Sequence, residues 1–466
     1  MKNILLLITD TYRYDNLGDR SALQVRTPEL DRFAATRAAA MENFYAGSFP
    51  TIPHRTDLAT GFLGWPHYGW QALEKSGRNP IASILGDAGY ATQLICDCPH
   101  LFKAGFNLAF DAACHLRGQE NDRFLLHLND PIETVLPADK TRQKPLFRGH
   151  GLADVHRWMN RGPRCEADTF ASRTASVTAR WLEENHQANP WFLWVDFFDP
   201  HEPWDPPEYF VRRYDPDYEG TPMLHPNYGP SSAYTPEELR NLRAHYAAEA
   251  ELVDRCIGRV LQKMDDLQLW EETVVVITSD HGFSIGEHGR TGKSNISEED
   301  ARYWPIYPEI GHVPFLVAAE QVNGGTACDA LAQPQDILPT LCDLAGASVN
   351  PVEPFQGRSF AGVLQNGQGE HRSSAVTGRY LDLTHQGPPS TGATTPFRVT
   401  RDWGYAPIGS DGDPELYDLA ADPGTDTNVA EGHPDVLAEL RDCFLDHLHA
   451  HGLPETELRC WREVVN

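Results

Sequence analysis

Short unbroken apolar runs alternate along this chain with stretches of helical period. Ile4 to Ile8 are consecutive aliphatic residues that meet Asp10 at once. A run of that kind predicts a central strand covered on both faces. Tyr90–Asp97, Pro190–Phe198 and Thr273–Ser279 have the same aromatic and β-branched character. Helical patterns fall between them, at Ile81–Leu85, Ala167–Glu184 and Pro236–Leu267. In the last, Leu242, Tyr246, Val253, Ile257, Val260 and Met264 lie near one stripe, which is a core face. Thr27-Pro28-Glu29 supply a cap, an N1 proline and a first-turn acid for a helix running through Phe33. Buried strands alternating with helices predict an α/β fold, a large mixed sheet sandwiched between helices. From about residue 370 the chain turns polar and glycine-rich. Phe397–Tyr405 and Glu415–Leu419 read as strands of a small antiparallel sheet, and Asp435–Leu448 as a final helix. The expected division is a catalytic domain over 1–368 and a smaller C-terminal α+β domain over 369–466.

Sites in such sheets form beyond the carboxyl ends of the strands. Polar residues gather there: Asp10 after the first strand, Asp199-Pro200-His201 after the third, Asp280-His281-Gly282 after the fourth. An Asp and a His side by side at a strand end can reach one cation through a bend. One further stretch stands out, Gly47 to Gly61, a loop with two prolines leading into a helix. Thr51 falls at or just before the helix N-terminus, with Arg55 one turn later on nearly the same face. Free N–H groups and the helix dipole attract anions there.

The net charge of −27 over 466 residues argues against a nucleic-acid partner. It also means that an anion site needs local positive charge. The region from Asp139 to Arg164 supplies some, with seven Lys or Arg (Lys140, Arg142, Lys144, Arg148, Arg157, Arg161, Arg164) against two Asp. A solvated basic loop is the favoured reading, and a substrate-facing insertion the other. Nine cysteines without metal-type spacing suit reduced thiols in a cytoplasmic protein. No run is long enough to cross a bilayer, so no membrane partner is expected.

Thr51-Ile52-Pro53-His54-Arg55, followed by Thr60-Gly61, resembles the sulfatase signature of the alkaline phosphatase superfamily. There a Cys or Ser precedes x-Pro-x-Arg and a later Thr-Gly, and here Thr takes the Cys or Ser place. Further blocks resemble the family in order: the opening strand into Asp10, Gly89-Tyr90-Ala91-Thr92, Pro200-His201-Glu202-Pro203, Asp280-His281-Gly282 and Glu415-Leu416-Tyr417-Asp418-Leu419. The resemblance implies a divalent cation held by Asp10, Asp280, His281 and the oxygen of Thr51. Mn²⁺ or Zn²⁺ suits that set best, and Ca²⁺ less well. It also implies that Arg55 and Lys293 neutralise the oxygens of an anionic small-molecule ester. His201, joined by His100, would protonate the leaving group. Many relatives carry a second acid or amide at the position of Thr11, so a leaner metal shell is expected. Asp199, His201 and His312 mark where a second metal would bind, though one metal is favoured.

Threonine is not converted to the formylglycine that sulfatases use. That substitution favours Thr51 as a direct nucleophile on phosphate monoesters, phosphodiesters or phosphonates. The alternatives are a sulfatase that tolerates Thr and a non-catalytic anion-binding relative. A homo-oligomer is left open. The substrate pocket is expected from 98–165 and 205–240, where the resemblance is weakest.

Overall fold

The computed structural model describes residues 1–20, 23–141, 145–161, 165–295, 300–383, 389 and 392–465. Arg142, Lys144 and Arg164 of the basic segment lie outside them. An eight-stranded sheet forms the centre, in the order Thr326–Ala332, Ala39–Phe44, Phe315–Ala318, Thr273–Ser279, Asn3–Thr9, Trp191–Phe197, Ala91–Cys96, Ala112–His115. Phe315–Ala318 is antiparallel to both neighbours, and the other pairings are parallel, so the sheet is mixed. Asn3–Thr9 lies between Trp191–Phe197 and Thr273–Ser279, with Thr9 opposite Phe197 on one side and Ser279 on the other. That register places Asp10 beside Asp280.

Alternation along the central strand sorts its side chains between two cores. Ile4, Leu6 and Ile8 join the core that holds Ile52, Leu58, Ile81, Leu85, Leu338 and Leu341. Leu5 and Leu7 join the one that holds Phe33, Ala171, Leu182, Val253, Ile257 and Met264. Helices therefore cover both faces. The long helix Pro236–Asp266 starts at a capping box in which Thr235 and Glu238 exchange hydrogen bonds. The observed Asn3–Thr9, Thr273–Ser279, Phe170–Asn185 and Pro434–Ala450 fall within a few residues of the expected elements. The helix Glu455–Val465 was not expected; it buries Leu458, Trp461 and Val465.

A five-stranded sheet makes the smaller α+β region, in the order Glu415–Asp418, Trp403–Ala406, Phe397–Val399, Ala375–Arg379, Ser48–Phe49. Its last strand comes from just before Thr51 and runs parallel to Ala375–Arg379. Trp65 from the loop after the Thr51 helix packs with Tyr405, Phe444 and Trp461 behind it. All nine cysteines are free. Among the described residues no helix is long and apolar enough to cross a membrane.

Candidate active site

Asp10, Asp280 and His281 converge beyond the ends of two adjacent strands and are fully buried. Among the described residues they are the one group of three or more such side chains whose ligand atoms lie within 4.8 Å of one another. Asp280 Oδ1 accepts from the backbone N–H groups of His281, at 2.7 Å, and Thr11, at 3.1 Å. His281 donates from Nδ1 to the Gly282 carbonyl at 2.9 Å, which leaves the Nε2 lone pair facing the carboxylates. Gly282 permits the bend, because a Cβ there would stand 2.1 Å from the Glu309 carbonyl. Thr11 sits at φ +62° with a buried hydroxyl that has no partner. A β-branched residue in that region stores strain, which marks the turn as imposed by its surroundings.

The helix Thr51–Thr60 begins at Thr51 and is buried along its whole length, although six of its ten residues are polar. Asp57 fixes the loop before it, accepting from Ser48 N–H at 2.7 Å, Ser48 Oγ at 2.9 Å and Gly64 N–H at 2.7 Å. Arg55 carries the structural charge. Its guanidinium makes two 2.8 Å bonds to Asp196, one of 2.6 Å to Asp280 Oδ2, and approaches Asp10 Oδ2 at 3.2 Å. It also reaches the Thr51 carbonyl at 3.3 Å, which ties the helix start to the carboxylates. The Thr51 hydroxyl bonds to no described residue.

The donor set fits a divalent cation. Asp10 Oδ1 and Oδ2 and His281 Nε2 are buried without a hydrogen-bond partner. With all four ionised, Asp10, Asp196, Asp280 and Arg55 sum to −2 in a region closed to solvent. Burial, and then the charge of Asp280, hold Asp10 well above the usual carboxylate range. Asp280 is held below it: burial opposes this, and His281 and Arg55 prevail. Burial lowers His281 to about 4, so its ring is neutral and able to ligate. A doubly charged cation offsets this excess charge.

Lys293, His201 and His100 form the opposite wall. His201 Nδ1 donates to the Glu202 carbonyl at 2.7 Å, and Nε2 accepts from Lys293 Nζ at 2.6 Å. Burial, and then Lys293, push His201 well below its ordinary value, so it is neutral. Lys293 lies 3.9 Å from Glu202, which Tyr228 also holds. His100 lies 3.3 Å from Glu120 and packs against Phe198, which stacks on His201 at 4.2 Å.

The second metal does not assemble from the expected residues. His312 stacks between Tyr14 and Tyr45 and donates to the Glu42 carbonyl at 2.8 Å. Asp199 is engaged by Gln119 and the Ala171 N–H. Of the basic segment's four described cations, three are in ion pairs: Lys140 with Glu238, Arg157 with Asp205, Arg161 with Asp130.

The sequence model of the family described as Sulfatase matches residues 2–347. The chain belongs to the sulfatase family. It is 24% identical to the arylsulfatase of Clostridium perfringens, over 96% of this chain and 94% of that one. It is 26% identical to the choline-sulfatase of Rhizobium meliloti, over 92% and 82%. Its fold is similar to that of the phosphonate monoester hydrolase of Agrobacterium radiobacter, with a TM-score of 0.72 at 23% identity over 97% and 96% of the two chains. Family and buried cluster together make this sulfatase-family protein a metal-dependent ester hydrolase.

Several residues at the site were not singled out from the sequence. Asp196 was legible as one acid inside an otherwise apolar strand, Trp191–Phe197. His54, next to Arg55, is fully buried with neither ring nitrogen paired, and burial lowers it to about 3. Its place in the signature gave no separate signal. Glu202 adjoins His201, but Glu120 comes from the irregular stretch after Ala112–His115 and carried none.

Proposed function

We propose that this protein hydrolyses sulfuric esters of small molecules, with Thr51 as the nucleophile. The observation that carries the reading is a buried, net-negative Asp10–Asp280–His281 cluster facing Lys293 and His201, with Thr51 at the helix start tied to it through Arg55. The curated relatives named above are sulfatases, which reverses the order of substrates expected from Thr51 alone. Asp10, Asp280 and His281 would hold the cation, and the Thr51 oxygen would complete the set. When bound, it supplies Lewis-acid stabilisation of the ester oxygens and lowers the pKa of a coordinated hydroxyl.

The residues of the chain do the rest. Arg55 offsets part of the cost of charge on Asp196, Asp280 and Asp10 and fixes the Thr51 helix. The Thr51 hydroxyl gives up its proton to water, its oxygen attacks sulfur, the bond from sulfur to the leaving oxygen breaks as that oxygen takes a proton, and a sulfated threonine results. Lys293 is the proton donor on the far side, because His201 Nε2 accepts from it. His201 and His100 orient that proton and the departing oxygen. Water then attacks the sulfur of the sulfated threonine, giving sulfate and restoring the hydroxyl.

A second reading rests on a specific residue. Thr51 gives no aldehyde and hence no hydrate to expel sulfate, so release depends on water attack. Phosphoryl centres accept such an attack more readily than sulfate held by an alkyl oxygen. Phosphate monoesters, phosphodiesters and phosphonates are therefore the alternative substrates. Metal-replete protein assayed on phenyl sulfate, phenyl phosphate, diphenyl phosphate and a phenyl phosphonate separates the readings. The highest kcat/KM on the sulfate supports the first, and the highest on a phosphoryl ester replaces it with the second. No turnover of any ester refutes both. The reduced cysteines fit a cytoplasmic setting, which we propose alongside.

A further inference from the structure

The edge of the smaller sheet brings an unclaimed cation to the cleft. Arg379 ends the strand Ala375–Arg379 and pairs in parallel register with Phe49. Register partners on neighbouring strands send their side chains to the same face. Phe49 uses that face to pack on the metal-side His281, with ring centroids 4.9 Å apart. Thr51 follows two residues later, so the Cα of Arg379 lies within about 10 Å of the Thr51 backbone. The Arg379 carbonyl accepts from Trp65 Nε1 at 3.2 Å, which fixes the strand end.

Arg379 is exposed as a residue while its guanidinium is largely shielded, and among the described residues no carboxylate pairs with it and no acceptor takes a hydrogen bond from it. The surroundings desolvate it enough to lower its pKa, with no acid to offset the cost. This is unusual in a chain of net charge −27, whose other cleft cations are all engaged. Two exposed aromatic residues lie along the same stretch of the cleft rim. Tyr380, 37% exposed, is the next residue, and its Cβ would lie 3.0 Å from a Cβ on Gly69. Trp70, next to Gly69 and 52% exposed, meets the wall residue His100 edge-on at 5.1 Å. The cation and the rings are thus tethered to both sides of the cleft, through Phe49 to the floor and through His100 to the wall.

We propose that Arg379 binds a second anionic group on the substrate, a carboxylate, sulfate or phosphate borne by the alcohol portion, while Trp70 and Tyr380 pack against the ring that carries it. A planar guanidinium suits a bidentate oxyanion, and flat rings suit an aromatic or sugar face. The site would therefore prefer doubly anionic esters to singly anionic ones. This rests on the ester-hydrolase reading above, and the experiment separates the two.

Phenyl esters bearing 3- or 4-carboxylate, 4-sulfonate or 4-phosphonate are compared with the neutral 4-carbamoyl isostere, in the parent, Arg379→Met, Arg379→Lys and Trp70→Ala. In the parent, kcat/KM for at least one charged ester exceeds that for the isostere by about tenfold, mainly through KM. Arg379→Met brings the ratio near one, and Arg379→Lys keeps part of it. The charged group most affected identifies the anion preferred. An equal ratio in the parent and Arg379→Met overturns the proposal. Calorimetric binding of the same compounds reads the same ratio without turnover. A binding ratio lost in Arg379→Met, in protein that turns over none of them, keeps this subsite and removes the hydrolase reading.

Discussion

At the floor of the cleft three carboxylates share one guanidinium, and at its wall one ammonium faces a neutral imidazole and one carboxylate. The floor is fully buried and, with its carboxylates ionised, carries two excess negatives. The wall is also buried, but its Lys293 is held by the imidazole of His201 at 2.6 Å, closer than by Glu202 at 3.9 Å. The difference divides the labour. The floor is complementary to a cation, and the wall to the anion that cation recruits. In a chain of net charge −27, a cation taken up by the floor and the ammonium of Lys293 would supply the local positive charge that an anionic ester needs.

Breaking the floor should have the largest effect. Asp280→Asn removes one negative charge and one ligand, and should reduce bound metal to background by elemental analysis. Turnover should fall by about 10³-fold or more. Unchanged metal content would remove Asp280 from the ligand set. At the wall, Lys293→Met should lower kcat by about 10²–10³-fold, as expected for loss of one charged donor aimed at the reacting oxygens. Metal content should be retained, which separates wall from floor. The same change should raise the His201 pKa, because the Lys293 charge, the largest influence after burial that depresses it, is gone. In NMR titration His201 then begins to protonate at higher pH than in the parent. A His201 pKa that does not move would show that the Lys293 charge does not depress it. His100→Gln should be milder, about tenfold or less in kcat, since His100 reaches His201 through Phe198.

The smallest expected effect lies outside the cleft. His288, in the turn Glu287–Gly289, stacks on Tyr307 at 3.7 Å and pairs with Glu309 at 3.0 Å. Burial opposes its charge, yet Glu309 prevails and lifts it to about 9. A raised folded pKa contributes stability that is complete below the unfolded value near 6.5 and is lost as pH rises through about 9. His288→Gln should therefore cost on the order of 2–3 kcal/mol near pH 6 and far less near pH 9.5. Urea unfolding at the two pH values measures it, and an equal cost at both would contradict the pairing.

The floor was largely legible in the sequence, and the wall only in part. Asp10, Asp280 and His281 directly follow long apolar strands, and strand ends are where such sites form. Arg55 was read as a substrate cation, but its side chain is held by Asp196, Asp280 and Asp10. Its partner Asp196 lies far away in sequence and meets it only through the sheet order. Glu120 and Trp70 come from segments with no periodicity, so nothing in the pattern placed them. Arg379 is brought into register with Phe49 because Ser48–Phe49 adds an edge to the smaller sheet. A two-residue strand leaves no hydropathy signal, so that register could not be read from the sequence. The fold itself followed from strands of unbroken apolar character, whose period is insensitive to such details.

The central claim is that Asp10, Asp280 and His281 hold a divalent cation against the Thr51 hydroxyl. Anomalous diffraction from Mn²⁺-loaded crystals tests it most directly. The account predicts a single strong peak bounded by those three side chains, with the Thr51 oxygen at about 2.0–2.6 Å. A peak elsewhere, no peak, or a Thr51 hydroxyl out of contact with the cation would contradict it.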